Sequence, residues 1–280
     1  MATTLEELHA AISDQPRQVG LIITRGYLHE GHGALVHSVQ DQGRLAVLCV
    51  FLNQRQFGPG EDYALYPRDS RHDVEFAEQV GVDVLWLARD QDVYPPGFCT
   101  EVRMPQLENA LHGVTGPEVL RAQLTAVVRL IGLARAQAVY YGEQDWYKAA
   151  ALRIALTDLA IGTVVETTPT KREADGLALR SLNERLRPEE RRSASLIYGA
   201  LQEAQELFSR HGEVEATRLL GRTSAALTRI PGFRLQYVHL VDPATLSERR
   251  RASPGDLLMA GGYFGRTRLD DAVRLPDANG

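Results

Sequence analysis

Apolar residues recur along this chain in two spacings. Short stretches that read as strands lie at 19–23, 45–52, 82–88, 138–141 and 162–167. The run at 45–52 holds eight apolar residues in a row, the mark of a strand buried on both faces. Between these runs the spacing changes to the three-and-four repeat of helices, at 69–80, 117–136 and 146–160, with a short amphipathic helix at 5–13. Another helical pattern starts at about residue 27 and carries Leu35, Val36 and Val39. Strands alternating with helices predict an α/β protein built on a parallel, doubly wound sheet. After residue 169 the pattern shifts to a basic, loop-rich segment. Helices near 188–209 and 213–228 follow, then strands at 235–241, 257–260 and through R-T-R-L near the end. This reads as a smaller α+β unit, giving two domains, 1–168 and 169–280.

Ligands of doubly wound sheets bind at the carboxyl ends of the strands, so the loops there are where chemistry is expected. The first strand breaks at Thr24-Arg25-Gly26 and leads into L-H-E-G-H, with His29 and His32 three residues apart. On the first turn of a helix the two would share a face, beside free backbone N–H groups and the positive end of the helix dipole. Two imidazoles there suit a phosphate chain whose charge grows during reaction. Gly31 and Gly33 keep the surface low enough for a nucleotide. A solvated H-x-x-H at a helix start has the same spacing, so the motif alone leaves both readings open.

Three further loops stand out. The second strand runs into N-Q-R-Q-F-G-P-G-E-D (53–62), where the amides of Asn53, Gln54 and Gln56 are suited to hydroxyl and carboxylate groups. A solvated turn accounts for G-P-G but not for the polar run before it. The fourth strand ends in Y-Y-G-E-Q-D-W-Y-K (140–148). There Gly142 permits close backbone approach, and Asp145 is either a helix N-cap or a holder of ribose or metal-bound phosphate. The third loop, 169–186, is basic and polar with Gly176 at its middle, fit for closing over a triphosphate or for linking two domains.

Composition narrows the setting. The 280 residues can bury a full core, and 44% hydrophobic with 24% charged residues is a globular balance. A net charge of −5 argues against a general nucleic-acid or membrane-surface role. No apolar run reaches a membrane span, and M-A-T-T-L-E-E-L lacks the features of a secretory signal. Cys49 and Cys99 give neither a disulfide framework nor metal spacing, so a reducing cytoplasm is expected. Of 31 basic residues only Lys148 and Lys171 are lysine, which singles out two places where a compact ammonium replaces the planar fork.

Together, L-H-E-G-H, N-x-x-Q-F-G-P-G-E-D-Y-x-x-Y-P-R-D, G-E-x-D and R-E-A-D-G-L-A-L-x-S-x-N closely resemble the pantothenate synthetases, the pantoate–β-alanine ligases. The resemblance runs from about residue 5 to R-T-R-L-D-D (266–271) and includes Y-V-H-L-V-D-P-A-T-L (237–246). It implies a Rossmann-like ATP domain of the nucleotidyltransferase group with H-x-G-H-type signatures, a smaller C-terminal lid, a homodimer, and ATP with Mg2+. It implies a carboxylic acid and an amine as substrates. The acid and ATP give an acyl-adenylate and pyrophosphate, and the amine then gives the amide and AMP. Carried over, His29 and His32 contact the phosphates, with His32 at the position assigned as proton donor. Gln56 matches a glutamine that binds pantoate. Gly142, Glu143 and Asp145 match the nucleotide loop, and Ser181 a serine of the lid. Arg25, Gly26, Lys171, Leu179 and Arg180 complete the expected ATP side; Asn53, Arg55 and Lys148 complete the acid side.

The departures form a pattern. Arg25 stands where the family's P-T-M-G has methionine, and N-P-x-Q-F has become Asn53-Gln54-Arg55-Gln56-Phe57. R-P-x-H-F-x-G-V is replaced by residues 116–123 and loses its histidine. The ATP-contacting lysine of G-E-K-D is Gln144, and a second pantoate-binding glutamine is Lys148. S-S-R-N has become Arg180-Ser181-Leu182-Asn183, and Lys171 stands where valine is common. The adenylation machinery is mostly retained and the acid pocket rebuilt, which points to a ligase for an acid other than pantoate. Lys148, one turn past Gln144, either restores the lost charge or meets an added substrate anion. An ordinary pantoate–β-alanine ligase, an inactive nucleotide- or acid-binding relative, and a nucleotide transferase that forms no amide stand as rivals.

Overall fold

A computed structural model describes residues 1–57, 63–110, 113–211 and 214–276. In chain order the helices are α1 (Leu5–Ser13), α2 (Glu30–Asp41), α3 (Ser70–Val80), α4 (Asp90–Val93), α5 (Pro105–Ala110), α6 (Pro117–Ala134), α7 (Trp146–Asp158), α8 (Pro188–Ala194), α9 (Leu196–His211) and α10 (Ala216–Thr228). The strands are β1 (Val19–Thr24), β2 (Leu45–Val50), β3 (Val84–Leu87), β4 (Ala138–Gly142), β5 (Val164–Thr168), β6 (Val214–Glu215), β7 (Phe233–Val241), β8 (Arg251–Ala252), β9 (Leu257–Phe264) and β10 (Thr267–Arg274).

The first five strands form one parallel sheet in the order β3-β2-β1-β4-β5. The order reverses between β1 and β4, which creates a crevice beyond their carboxyl ends. β1 is central because its residues can be covered on both faces: Leu21 and Ile22 have no exposed surface. Gly20 lets α2 lie close, since a Cβ there would come within 2.5 Å of Val39. Across the sheet, α6 turns Leu120, Leu124, Val127, Ile131 and Ala134 inward at spacings of four and three. It begins with proline in its first turn and ends at Arg135 in left-handed backbone (φ 49°).

The second part carries an antiparallel sheet, β10-β9-β7, under α9 and α10. The single helix expected near 188–209 is two, meeting at Ser195, whose hydroxyl donates to the Arg192 carbonyl at 3.0 Å as α8 ends. The apolar cores are not split cleanly at residue 168. Tyr237, Val241, Leu257 and Met259 join the cluster that covers β1, β2 and α6. Trp146, the first residue of α7, donates its indole N–H to the Pro243 carbonyl at 2.9 Å and lies under the Arg153 and Arg274 guanidinium groups. Arg172 makes a bidentate bond to Asp271 (2.6 and 2.9 Å) and so ties the 169–186 segment to β10.

One expectation is refined here. Within the 169–186 loop, residues 171–179 form a hydrogen-bonded hairpin, closed by Leu179 N–H to Lys171 O (3.0 Å) and Glu173 N–H to Leu177 O (2.9 Å). Gly176 at its tip (φ 91°) abuts Tyr198, where a Cβ would come within 2.8 Å. The G-P-G turn, 58–60, lies outside the described residues.

Candidate active site

Between β1 and α2 the chain makes a turn that its own residues disfavour. Gly26 (φ 87°) and Tyr27 (φ 54°) are both left-handed, which for tyrosine costs about 1–2 kcal/mol. Asp73 of α3 offsets this: its carboxylate accepts from the N–H of Tyr27 at 3.1 Å and of Leu28 at 2.7 Å. His72 adds a ring N–H to the Leu28 carbonyl at 2.8 Å. Asp73 is buried, and burial raises its carboxyl pKa against the pull of those two donors.

That turn delays the helix to Glu30, so His29 is its N-cap and not part of a turn starting near residue 27. The His29 Nδ1 accepts from Gly31 N–H at 3.1 Å, and the backbone N–H of His29 donates to His32 Nδ1 at 3.2 Å. Both Nδ1 atoms are acceptors, which assigns the ring proton to Nε2 in each. His32 Nε2 then donates to Thr24 Oγ1 at 2.9 Å, and the two rings lie 4.1 Å apart. Burial, with Arg180 nearby, pushes the His29 pKa down to about 4. Burial, reinforced by His29 and Arg25 and opposed by Asp145, pushes His32 well below the usual imidazole value. At neutral pH both rings are uncharged donors.

The expected free N–H groups are mostly engaged. The donors of Tyr27, Leu28, His29 and Gly31 are taken by Asp73, His32 and His29. What the helix start offers a ligand is imidazole N–H more than backbone. Of the two glycines, Gly31 lies on the open face at the helix start, as expected, and Gly33 does not. A Cβ on Gly31 would press within 2.9 Å of the His29 ring, so that glycine permits the cap. Gly33 faces Val80 and Phe76 and serves the packing of α2 on α3.

At the end of β4, Asp145 occupies the N-cap position of α7 but makes no capping bond. Its Oδ1 instead accepts from Lys148 Nζ at 3.0 Å and Arg180 Nη1 at 3.5 Å. Burial alone would raise this carboxyl; Lys148 and Arg180 hold it well below the usual carboxylate range. Burial lowers the Lys148 pKa, and Asp145 opposes that. The Gln144 amide donates to the Leu179 carbonyl at 3.2 Å, and Arg180 Nη2 donates to the Gln144 carbonyl at 3.3 Å. The Ser181 hydroxyl meets the carbonyls of Gly26 (3.2 Å) and Tyr27 (3.0 Å), closing the hairpin onto the β1–α2 turn.

These elements line an open cleft at the sheet's switch point. Eleven of the residues expected from sequence line it: Arg25, His29, His32, Gln56, Gly142, Asp145, Lys148, Lys171, Leu179, Arg180 and Ser181. Four do not. Gly26 contributes its carbonyl to Ser181 from behind, and Glu143 lies in the turn outside the lining. Asn53 is buried with its amide on Tyr94 Oη (2.8 Å), and its Oδ1 accepts from Arg55 N–H. Arg55 stacks on Tyr94 at 4.2 Å.

Other lining residues escaped the sequence reading. Gln123 Oε1 and Thr168 Oγ1 are buried without a hydrogen-bond partner, as befits atoms left for a ligand. A glutamine on the otherwise apolar inner stripe of α6 was a readable sign. Tyr66 lies under the Arg25 guanidinium at 4.7 Å.

Fold and cleft define an α/β protein of Rossmann-like architecture that carries an H-x-x-H at its first strand-to-helix turn. A family model described as Pantoate-beta-alanine ligase matches residues 1–274. The chain is 40% identical to the pantothenate synthetase of Anaeromyxobacter dehalogenans over 92% of its length and 91% of that protein's. It is 36% identical to that of Moorella thermoacetica, covering 95% and 94%. Among solved structures, the pantothenate synthetase of Thermus thermophilus superposes with a TM-score of 0.91 at 36% identity, covering 99% of this chain and 100% of that one. The pantoate-beta-alanine ligase of Francisella tularensis, complexed with beta-gamma ATP and beta-alanine, gives 0.77 at 25% identity, covering 98% and 96%. The chain belongs to the pantoate–beta-alanine ligase family, whose members are AMP-forming acid–amine ligases.

Proposed function

We propose that this protein uses ATP to activate a carboxylic acid as its acyl-adenylate and then couples the acyl group to an amine. The acid pocket in this reading differs from that of a pantoate enzyme. The observation that carries it is the pair of neutral imidazoles, His29 and His32, set on the same cleft as Gln56, Lys148 and the Asp145 loop. The acid's carboxylate oxygen attacks the α-phosphorus, and the bond to the leaving pyrophosphate breaks with its electron pair going to that group. The Nε2–H of His29 donates to the phosphate oxygens as their charge grows, and Arg180 and Lys171 add cationic charge from the hairpin. The amine nitrogen then attacks the acyl carbon, loses a proton, and AMP leaves.

Among the described residues no group of three or more His, Cys, Asp or Glu side chains converges to hold a metal. Mg2+ would enter with ATP, where it would neutralise phosphate charge. The reading also includes a homodimer, a cytoplasmic setting, and residues 169–280 as the lid unit. No helix among the described residues is long and apolar enough to cross a membrane. Light scattering tests the dimer: elution at twice the monomer mass is the expected result, and elution at the monomer mass overturns it.

The test is acid-dependent exchange of labelled pyrophosphate into ATP, which needs no amine, followed by mass spectrometry of the product with an amine present. Exchange followed by an amide and AMP supports the reading. An adenylylated product without amide formation, or ATP binding with no exchange against any acid, overturns it.

A further inference from the structure

The cleft continues outward past Lys148 into a second hollow between the two halves of the molecule. Arg25, Gln56, Tyr66, Gln123, Lys148, Arg180 and Leu182 belong to both hollows and form the passage between them. His29, His32, Gly142, Gln144 and Lys171 line only the inner one, so the outer hollow lies beyond the nucleotide ledge.

Charge in the outer hollow is lopsided. Its walls carry Arg25, Lys148, Arg180, Arg185, Arg266 and Arg268 against one carboxylate, Asp270. Asp270 is already committed to Arg268 at 3.0 Å and to the Tyr237 hydroxyl at 3.0 Å. Asp145, on the inner side, is shared by Lys148 and Arg180. Among the described residues Arg25 makes no ion pair; it is held over Tyr66 and Phe57 by ring contacts, and the one carboxylate its charge reaches, Asp145, is already shared by Lys148 and Arg180. Arg185 and Arg266 likewise have no ion pair there. A half-buried passage with surplus cations suits an anion and disfavours a neutral hydroxyl, because each cation must otherwise give up water without an acceptor. The buried, unpartnered Gln123 Oε1 beside it asks for a donor, such as a hydroxyl on the same ligand.

Resting on the ligase reading above, we propose that the acid is a dianion. One carboxylate is adenylated in the inner cleft, while a second anionic group, carboxylate or phosphate, lies in the outer hollow against Arg25, Lys148 and Arg266. Lys148 and Arg25 set specificity by rewarding that second charge, and the exposed Arg266 extends the positive field to the entrance.

The experiment is amine-free ATP–pyrophosphate exchange with three sets of acids: D-pantoate and other monoanionic hydroxy acids, short dicarboxylates, and phosphorylated hydroxy acids. A dianionic acid is expected to exceed pantoate in kcat/KM by at least about tenfold, its advantage shrinking with added salt. The second and third sets tell carboxylate from phosphate. K148Q is expected to lower kcat/KM for the dianion by roughly 100-fold, mainly through the KM for acid, with the KM for ATP held within about threefold; R25M, at a residue that also faces the nucleotide side, is expected to raise the KM for the dianion more than that for D-pantoate. R266Q, on an exposed side chain, is expected to raise the KM for the dianion several-fold and leave pantoate unchanged; it serves if the buried variants fail to fold. Pantoate as the best acid, with an order of preference unmoved by K148Q, overturns the dianion while leaving the ligase standing. No exchange with any acid overturns both.

Discussion

Asp145 serves two cations, and both come to depend on it. Replacing it with asparagine leaves Lys148 and Arg180 about 4 Å or less from a neutral amide in a site where all three side chains are at most a quarter exposed. D145N is expected to lower stability by about 1–3 kcal/mol, read by urea denaturation. A stability equal to wild type would mean that solvent already screens the group. The imidazoles make a second prediction. In the free protein His29 titrates at about 4, against 6.5 for an unperturbed ring. The unfolded chain therefore binds more protons between those values, and stability falls as pH drops from 6.5 toward 4, by up to about 1.4 kcal/mol per pH unit for this ring. Anionic phosphate raises the pKa again, so ATP binding near pH 6 is expected to take up protons. Calorimetry in two buffers of different ionisation enthalpy measures that uptake; its absence would mean that the rings stay neutral donors in the complex. The histidine pair, Gln56 and Lys148 were legible in sequence because reactive side chains at strand ends stand out from their apolar surroundings. Their neutrality was not, because it comes from burial and from Arg180, which lies 151 positions beyond His29.

Among elements, the β1–α2 turn depends on α3. The run of apolar residues showed where β1 lies, and the three-and-four repeat showed α2, to within a few residues. The three-residue delay before α2 was hidden, because it rests on a left-handed tyrosine stabilised from 46 positions away. Asp73→Ala removes both backbone acceptors from Tyr27 and Leu28. It is expected to cost about 2–3 kcal/mol in unfolding free energy and roughly 100-fold in kcat/KM, since His29 loses the turn that positions it. D73N, which keeps one acceptor oxygen, is expected to recover part of each. A D73A enzyme with normal kcat/KM would show that the histidines are held by α2 alone. The break at Ser195 between α8 and α9 was hidden for a related reason: no glycine or proline marks it, only a hydroxyl that bends back to a carbonyl.

Across the whole molecule, the alternation of strands and helices was enough to place the switch point and thus the cleft, because parallel sheets leave few topologies. How the two halves meet was beyond sequence, since Arg172–Asp271 and Trp146–Pro243 join residues 97 or more positions apart. Asp271 is 5% exposed, so R172A leaves a buried carboxylate without its partner and is expected to cost about 3–5 kcal/mol. Faster proteolysis within 169–186, with the parallel sheet still protected, is the expected signature. The second of those junctions has a practical side. The chain holds two tryptophans. Trp86 is sealed inside β3, whereas Trp146 directly follows Asp145 and lies between two guanidinium groups at the seam of the molecule. The protein thus comes with its own optical probe: a ligand that moves the Asp145 loop is expected to change the emission of one indole over a constant background from the other, and an unchanged spectrum on ATP binding would mean that the seam does not sense the cleft.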